Sequence, residues 1–151
     1  MKKILLSFMA VLLMLGLTGC MEKNVEGSLE EIMEKVYASV PDDERPMMLT
    51  NMEINDKNIE SFLGTSDIEY EEALASESGV GSIAHSVILI RVKKGANVEL
   101  IKEKLEKSVN PRKWICVEAE EVEIESKGNL IIVIMSNEST AEKIEKEFDR
   151  L

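Results

Sequence analysis

The chain of 151 residues carries 29 acidic side chains against 18 basic ones, a net charge of −11, so it offers nucleic acid and anionic lipid surfaces repulsion and no counter-charge. Its hydrophobic share of 44% is ordinary and is spread along the chain without repeats or low-complexity tracts, which predicts one globular domain with a real core. Two cysteines, Cys20 and Cys116, and one histidine, His85, leave little material for nucleophilic or metal chemistry.

At the front, Lys2 and Lys3 precede an uncharged run from Ile4 to Thr18, followed by Gly19 and Cys20. A basic head, a short apolar middle and a small-residue cleavage point make the layout of a secretory signal peptide. The run is shorter than the roughly 20 apolar residues of a permanent span. Leu17-Thr18-Gly19-Cys20 resembles the lipobox of bacterial lipoproteins, in which the cysteine thiol is alkylated with diacylglycerol and the peptidase cuts on its amino side. Only a thiol supplies that nucleophile, and small neighbours let the backbone enter the protease.

Residues 1–19 are therefore expected to be a removed lipoprotein signal peptide, with cleavage between Gly19 and Cys20 and lipid attachment at Cys20. Two acyl chains anchor stably where one is marginal, so the expected location is the extracytoplasmic side of the cell membrane. Losing Lys2 and Lys3 takes the net charge from −11 to −13. Residues 20–27 are expected to be the lipidated cysteine and a short flexible tether, Met21 to Gly27, with a reach of about 15 Å. The folded domain, residues 28–151, then sits close to the bilayer.

From Ser28 the pattern is helical: Leu29, Ile32, Met33, Val36, Tyr37 and Val40 recur on one face, and Ser28 with Glu31 forms a capping box before Pro41 ends the run. Met48 to Ile54 reads weakly as a strand. Asp56 is placed to cap a short helix bearing Ile59, Phe62 and Leu63, with Gly64 suited to the left-handed closing residue. Ile68 to Ser76 suits either a strand or a helical turn. Ile83 to Lys93 is a strand whose Val87 to Val92 stretch is aliphatic enough for burial on both faces.

After a turn at Lys94-Gly95, Asn97 caps a helix bearing Val98, Ile101, Leu105 and Val109, which Asn110-Pro111 stops. Strands at Trp114 to Ile124 and Leu130 to Met135 are joined through Ser126-Lys127-Gly128-Asn129, a hairpin signal. A last helix, expected to be capped by Ser139 with Glu142, places Ala141, Ile144, Phe148 and Leu151 on one face. The order predicts an α+β fold, a mostly antiparallel sheet with helices packed on it in a single domain.

SLEEIMEKVY after a lipobox, then EALASESGVGSIAHSVILIRVKKGANVELIKEKLEK, then GNLIIVIMS and a closing helix, resembles a family of Gram-positive bacterial lipoproteins catalogued as a domain of unknown function. The resemblance covers residues 28–151 and lies in order and hydrophobic pattern. It implies a small secreted α+β domain at the cell surface and supplies no activity and no site residues.

Chemistry must be sought in the residues themselves. Cys116 sits among Trp114, Ile115 and Val117, and the expectation is an unreactive core thiol in a strand, with no disulfide partner once Cys20 is lipidated. The sharper alternative is a thiol-dependent enzyme using Cys116 with His85. His85 shares a strand face with Val87 and Leu89, where a satisfied core histidine is the commoner outcome. One histidine and one cysteine cannot complete a tetrahedral shell, so no metal site is expected.

Glu118 to Glu125 invites a calcium reading, but no liganding turn is present; Glu121, Glu123 and Glu125 are expected to line a solvated strand face while Val122 and Ile124 face inward. Arg112-Lys113-Trp114 interrupts the acidic background and is a candidate ligand or surface contact; the structural alternative has Trp114 opening a strand and the two cations complementing the preceding helix. The functional expectation is a non-enzymatic envelope lipoprotein without a cofactor. Its partners would be the lipid bilayer through acylated Cys20 and an envelope protein or small ligand, with no nucleic acid.

Overall fold

A computed structural model describes residues 23–151. The expected signal peptide, the cleavage site at Gly19 and Cys20, and the first residues of the tether lie outside the described residues. Nine elements follow in the order expected: α1 (Leu29–Val36), β1 (Leu49–Ile54), α2 (Ile59–Leu63), β2 (Tyr70–Ser78), β3 (Ser86–Val92), α3 (Val98–Ser108), β4 (Glu121–Lys127), β5 (Leu130–Ser136) and α4 (Glu138–Phe148). Among the described residues no helix is long and apolar enough to cross a membrane.

The strands form one sheet in the order β1-β2-β3-β5-β4, and every neighbouring pair is antiparallel. β5 lies between β3 and β4, so the connection through α3 steps over one strand position that β5 then fills. Alternation along the strands sends side chains to opposite faces, and each face has its own helical cover. Val87, Leu89, Ile132 and Ile134 pack with Ile32, Met33 and Val36 of α1 and with Ile144 and Phe148 of α4. Ile88, Ile90, Ile131 and Val133 pack with Ile59 and Leu63 of α2 and with Ile101 and Leu105 of α3. β5 is buried at every position, as a central strand between two helical layers must be.

The caps carry much of the local logic. Ser28 accepts from Glu31 N–H while the Glu31 carboxylate accepts from Ser28 N–H, both at 3.2 Å, the reciprocal box read from the sequence. Asn97 caps α3 by accepting from Leu100 N–H at 3.1 Å. Gly64, at φ 70°, closes α2, and a side chain there would overlap the Ser108 carbonyl.

Two caps differ from expectation. Asp56 instead accepts from the Tyr70 hydroxyl at 3.1 Å, and Asn58 occupies the cap position of α2 without a side-chain capping bond, its amide accepting from Asn55 N–H and donating to the Glu53 carbonyl. Asn137, not Ser139, caps α4 by accepting from Thr140 N–H at 3.0 Å, because the helix starts as soon as β5 ends.

The segment before Ser28 is packed, where the sequence suggested a loose tether. Val25 is buried in the first core cluster. The Arg91 guanidinium donates to the carbonyls of Val25 and Gly27 at 2.7 and 2.6 Å and to Glu72 at 2.7 Å. A partly buried cation with three acceptors thus fastens this segment to the end of β3.

Candidate functional site

The largest correction falls at residues 111–120. The expected strand from Trp114 begins only at Glu121. Pro111 carbonyl accepts from Ala119 N–H at 2.9 Å, so the ends of the segment are tied together and the middle loops out. Cys116, expected in the core, is exposed and adopts φ 61°. Ile115 is 73% exposed. Four apolar residues in a row read as a strand, but β5 ends at Ser136, opposite Glu121, so the residues before Glu121 have no strand to pair with.

This loop meets another at the same end of the sheet. Ile115 N–H donates to Gly81 carbonyl at 3.0 Å, and Gly79 N–H donates to Met48 carbonyl at 3.0 Å. The β2–β3 loop therefore lies between Ile115 on one side and Met47 and Met48 on the other, with Ser78 Oγ donating to the Met47 carbonyl at 2.8 Å. Met47 and Met48 are 68% and 69% exposed. Met48 has φ 55°, so among the described residues the two non-glycine positions in the left-handed region, Met48 and Cys116, stand at one tip. Each costs of order 1 kcal/mol, and such strain concentrates where loops carry function.

Beside Ile115 lies a recess of about 310 Å³ lined by Arg112, Trp114, Cys116, Val117 and Glu118. Arg112 Nε stands 3.2 Å from a Glu118 oxygen. Lys113 is held apart from the recess: it pairs with Glu77, lies 3.4 Å from Ser86 Oγ, and its ammonium stands 5.2 Å from both the Phe62 and Trp114 ring centres. Of the three candidate contact residues, Arg112 and Trp114 thus share the recess, and Lys113 fixes the loop to the sheet. Trp114 is partly buried against the second core cluster, though it opens no strand. Neither cation complements the preceding helix; both are ion-paired elsewhere.

Beneath the tip, immediately before β3, His85 is 1% exposed. Its Nε2 is 2.6 Å from the Tyr37 hydroxyl and its Nδ1 is 2.8 Å from Ser136 Oγ. A neutral ring, with one N–H and one lone pair, satisfies both partners. Burial pushes the His85 pKa down to about 4 and raises that of Tyr37 well above the ordinary phenol range. The satisfied core histidine is therefore what the fold contains. Both nitrogens are engaged by Tyr37 and Ser136, and His85 makes no hydrogen bond to Cys116.

The acidic run behaves differently from a simple solvated face. Glu123 and Glu125 stand beside Glu145 of α4, their carboxylate atoms within 4.8 Å of one another. Burial, and then the neighbouring Glu123, raises the pKa of Glu145. Lys102 answers part of this charge at 3.3 Å from Glu125. Ile124 is buried as expected, whereas Val122, on the edge strand β4, is 38% exposed. These carboxylates are the group among the described residues with a composition suited to a cation.

Met47, Met48 and Tyr37 were not singled out by sequence reasoning. Met48 read as the start of a strand and Tyr37 as one more apolar residue of α1; only the proximity of Met48 to Pro46 in a turn-rich stretch hinted at an irregular backbone. The chain matches no protein-family model, no curated protein and no solved structure.

Proposed function

We propose that this chain is a lipid-anchored extracytoplasmic lipoprotein whose domain is a non-enzymatic interaction module, engaging an envelope protein through the tip formed by Met47, Met48 and Ile115. The lipobox and the signal-peptide layout support the anchor. The observation that carries the binding reading is the convergence, among the described residues, of the three most exposed large apolar side chains on loops held by specific backbone bonds. Exposed apolar side chains gathered at one place mark an interaction site, and methionine suits it because its flexible thioether adapts to a partner surface. The recess between Arg112 and Glu118 adds polar groups at the rim.

The test places a photo-crosslinking residue at Ile115 or Met48 in the full chain in its membrane. A discrete adduct is expected at both positions, with none from the same probe at Lys57 at the other end of the sheet, and loss of the Ile115 adduct in Met48→Glu. Adducts of equal yield at Ile115 and Lys57, or none at the tip, would overturn the reading.

A further inference from the structure

The chain joins the domain at Lys23 and Asn24, and lysines converge there. Two recesses share Asn24: one of about 510 Å³ lined by Lys23, Lys35 and Lys127, the other of about 530 Å³ lined by Lys93 and Lys94. Gly128 keeps them close together, since a Cβ at that position would stand 2.6 Å from the Lys23 carbonyl oxygen. Lys23, Lys35, Lys93 and Lys94 are exposed, and none of them forms an ion pair among the described residues. Lys127 donates to the Asp149 carbonyl at 2.5 Å and keeps its charge unmatched.

Elsewhere the described cations are almost all matched to carboxylates. The two exceptions, Lys57 after β1 and Lys146 in the last turn of α4, belong to the same end of the sheet. Glu26 and Glu71 are the acids that line these recesses, fewer than the lysines around them. The lining of these two recesses is therefore richer in cations than the chain as a whole, with Glu69 and Asp149 adjoining it.

We propose that this lysine collar is a docking surface for anionic lipid headgroups, seating the proximal end of the domain on the bilayer. The proposal rests on the lipid-anchor reading. With Cys20 in the membrane, the three residues to Lys23 span at most about 11 Å, close to one Debye length at physiological salt. Juxtamembrane lysines are attracted to an anionic leaflet over that range. The compact, mobile ammonium suits headgroups that present phosphate oxygens in no fixed geometry. β3 carries the tip roughly 24 Å further out at about 3.4 Å per residue, where repulsion from the same surface is screened. One end is thereby drawn to the bilayer and the other is left free for a partner.

The test mixes the processed full chain with vesicles of phosphatidylcholine, with or without phosphatidylglycerol, then acetylates its lysines and maps them by mass spectrometry. With phosphatidylglycerol, acetylation of Lys93 and Lys94 is expected to fall several-fold while that of Lys107 is unchanged, and added salt should restore it. Lys93→Glu with Lys94→Glu should abolish the protection of Lys23. Equal rates at Lys93 and Lys107 on phosphatidylglycerol vesicles would overturn the proposal. The same digest reports the mass of the peptide bearing Cys20. A diacylglyceryl adduct without lysine protection sinks the collar and leaves the anchor; an unmodified Cys20 with protected lysines sinks the anchor and leaves the collar.

Discussion

The two ends of β3 hold opposite chemistry. At one, Arg91 is a cation satisfied by two carbonyls and Glu72, near lysines that form no ion pair among the described residues; at the other, His85 is a buried neutral ring beneath exposed methionines and isoleucine. Between them Val87 to Ile90 are fully buried and have no surface to offer. The contrast shows how a sheet covered on both faces allocates its functions: the strands are consumed by the core, so whatever the protein recognises must be met at the loops where strands end.

The largest expected effect breaks the distal end. Above pH 6.5, His85 is neutral both folded and unfolded, and its network contributes in full. As pH falls through 6.5 the unfolded chain takes up a proton that the folded ring, with its pKa of about 4, refuses, so stability is lost progressively down to about pH 4. The loss from this group should approach about 3 kcal/mol, at 1.36 kcal/mol per pKa unit. Thermal unfolding of the wild type and of His85→Gln across this range checks it: the fall should be steeper in the wild type, and parallel curves would count against the assignment.

Breaking the proximal end should cost somewhat less. Arg91→Ala removes three charge-assisted bonds but leaves the sheet intact, so about 2 kcal/mol is expected. Hydrogen exchange should rise at residues 23–28 with no change at the amides of Gly79 or Ile115. An increase at both ends would mean that the two are coupled through the core and do not act as separate regions.

The smallest effect sharpens the comparison. Because Cys116 lies exposed on the tip, Cys116→Ser should change stability by no more than about 0.5 kcal/mol, as expected of an exposed substitution. A thiol reagent should modify the native protein promptly. Slow labelling that accelerates only on unfolding would return the thiol to the core.

Legibility followed the range of the forces involved. The Ser28–Glu31 box, the Gly64 closure and the Asn97 cap act within four residues, and each stands as read. The strand Val87 to Val92 was legible because unbroken aliphatic character has few other uses. The stretch Trp114 to Val117 misled for the converse reason: its composition suits a strand, but a tie between Pro111 and Ala119 and a bond to Gly81 hold it in a loop. Asn137 took the cap from Ser139 because the end of β5 fixed where α4 begins.

By itself the sequence determined the element order, the α+β class and which face of each helix is apolar, since periodicity and capping depend only on near neighbours along the chain. Tertiary structure alone decided the rest. It placed β5 between β3 and β4, enclosed His85 between Tyr37 and Ser136, and fastened Val25 under Arg91. It also exposed Met48 and Ile115 at one end and gathered lysines from distant parts of the chain at the other. These contacts join residues tens of positions apart, and their partners are selected by packing two helical layers on one sheet, a competition among surfaces that no local pattern records.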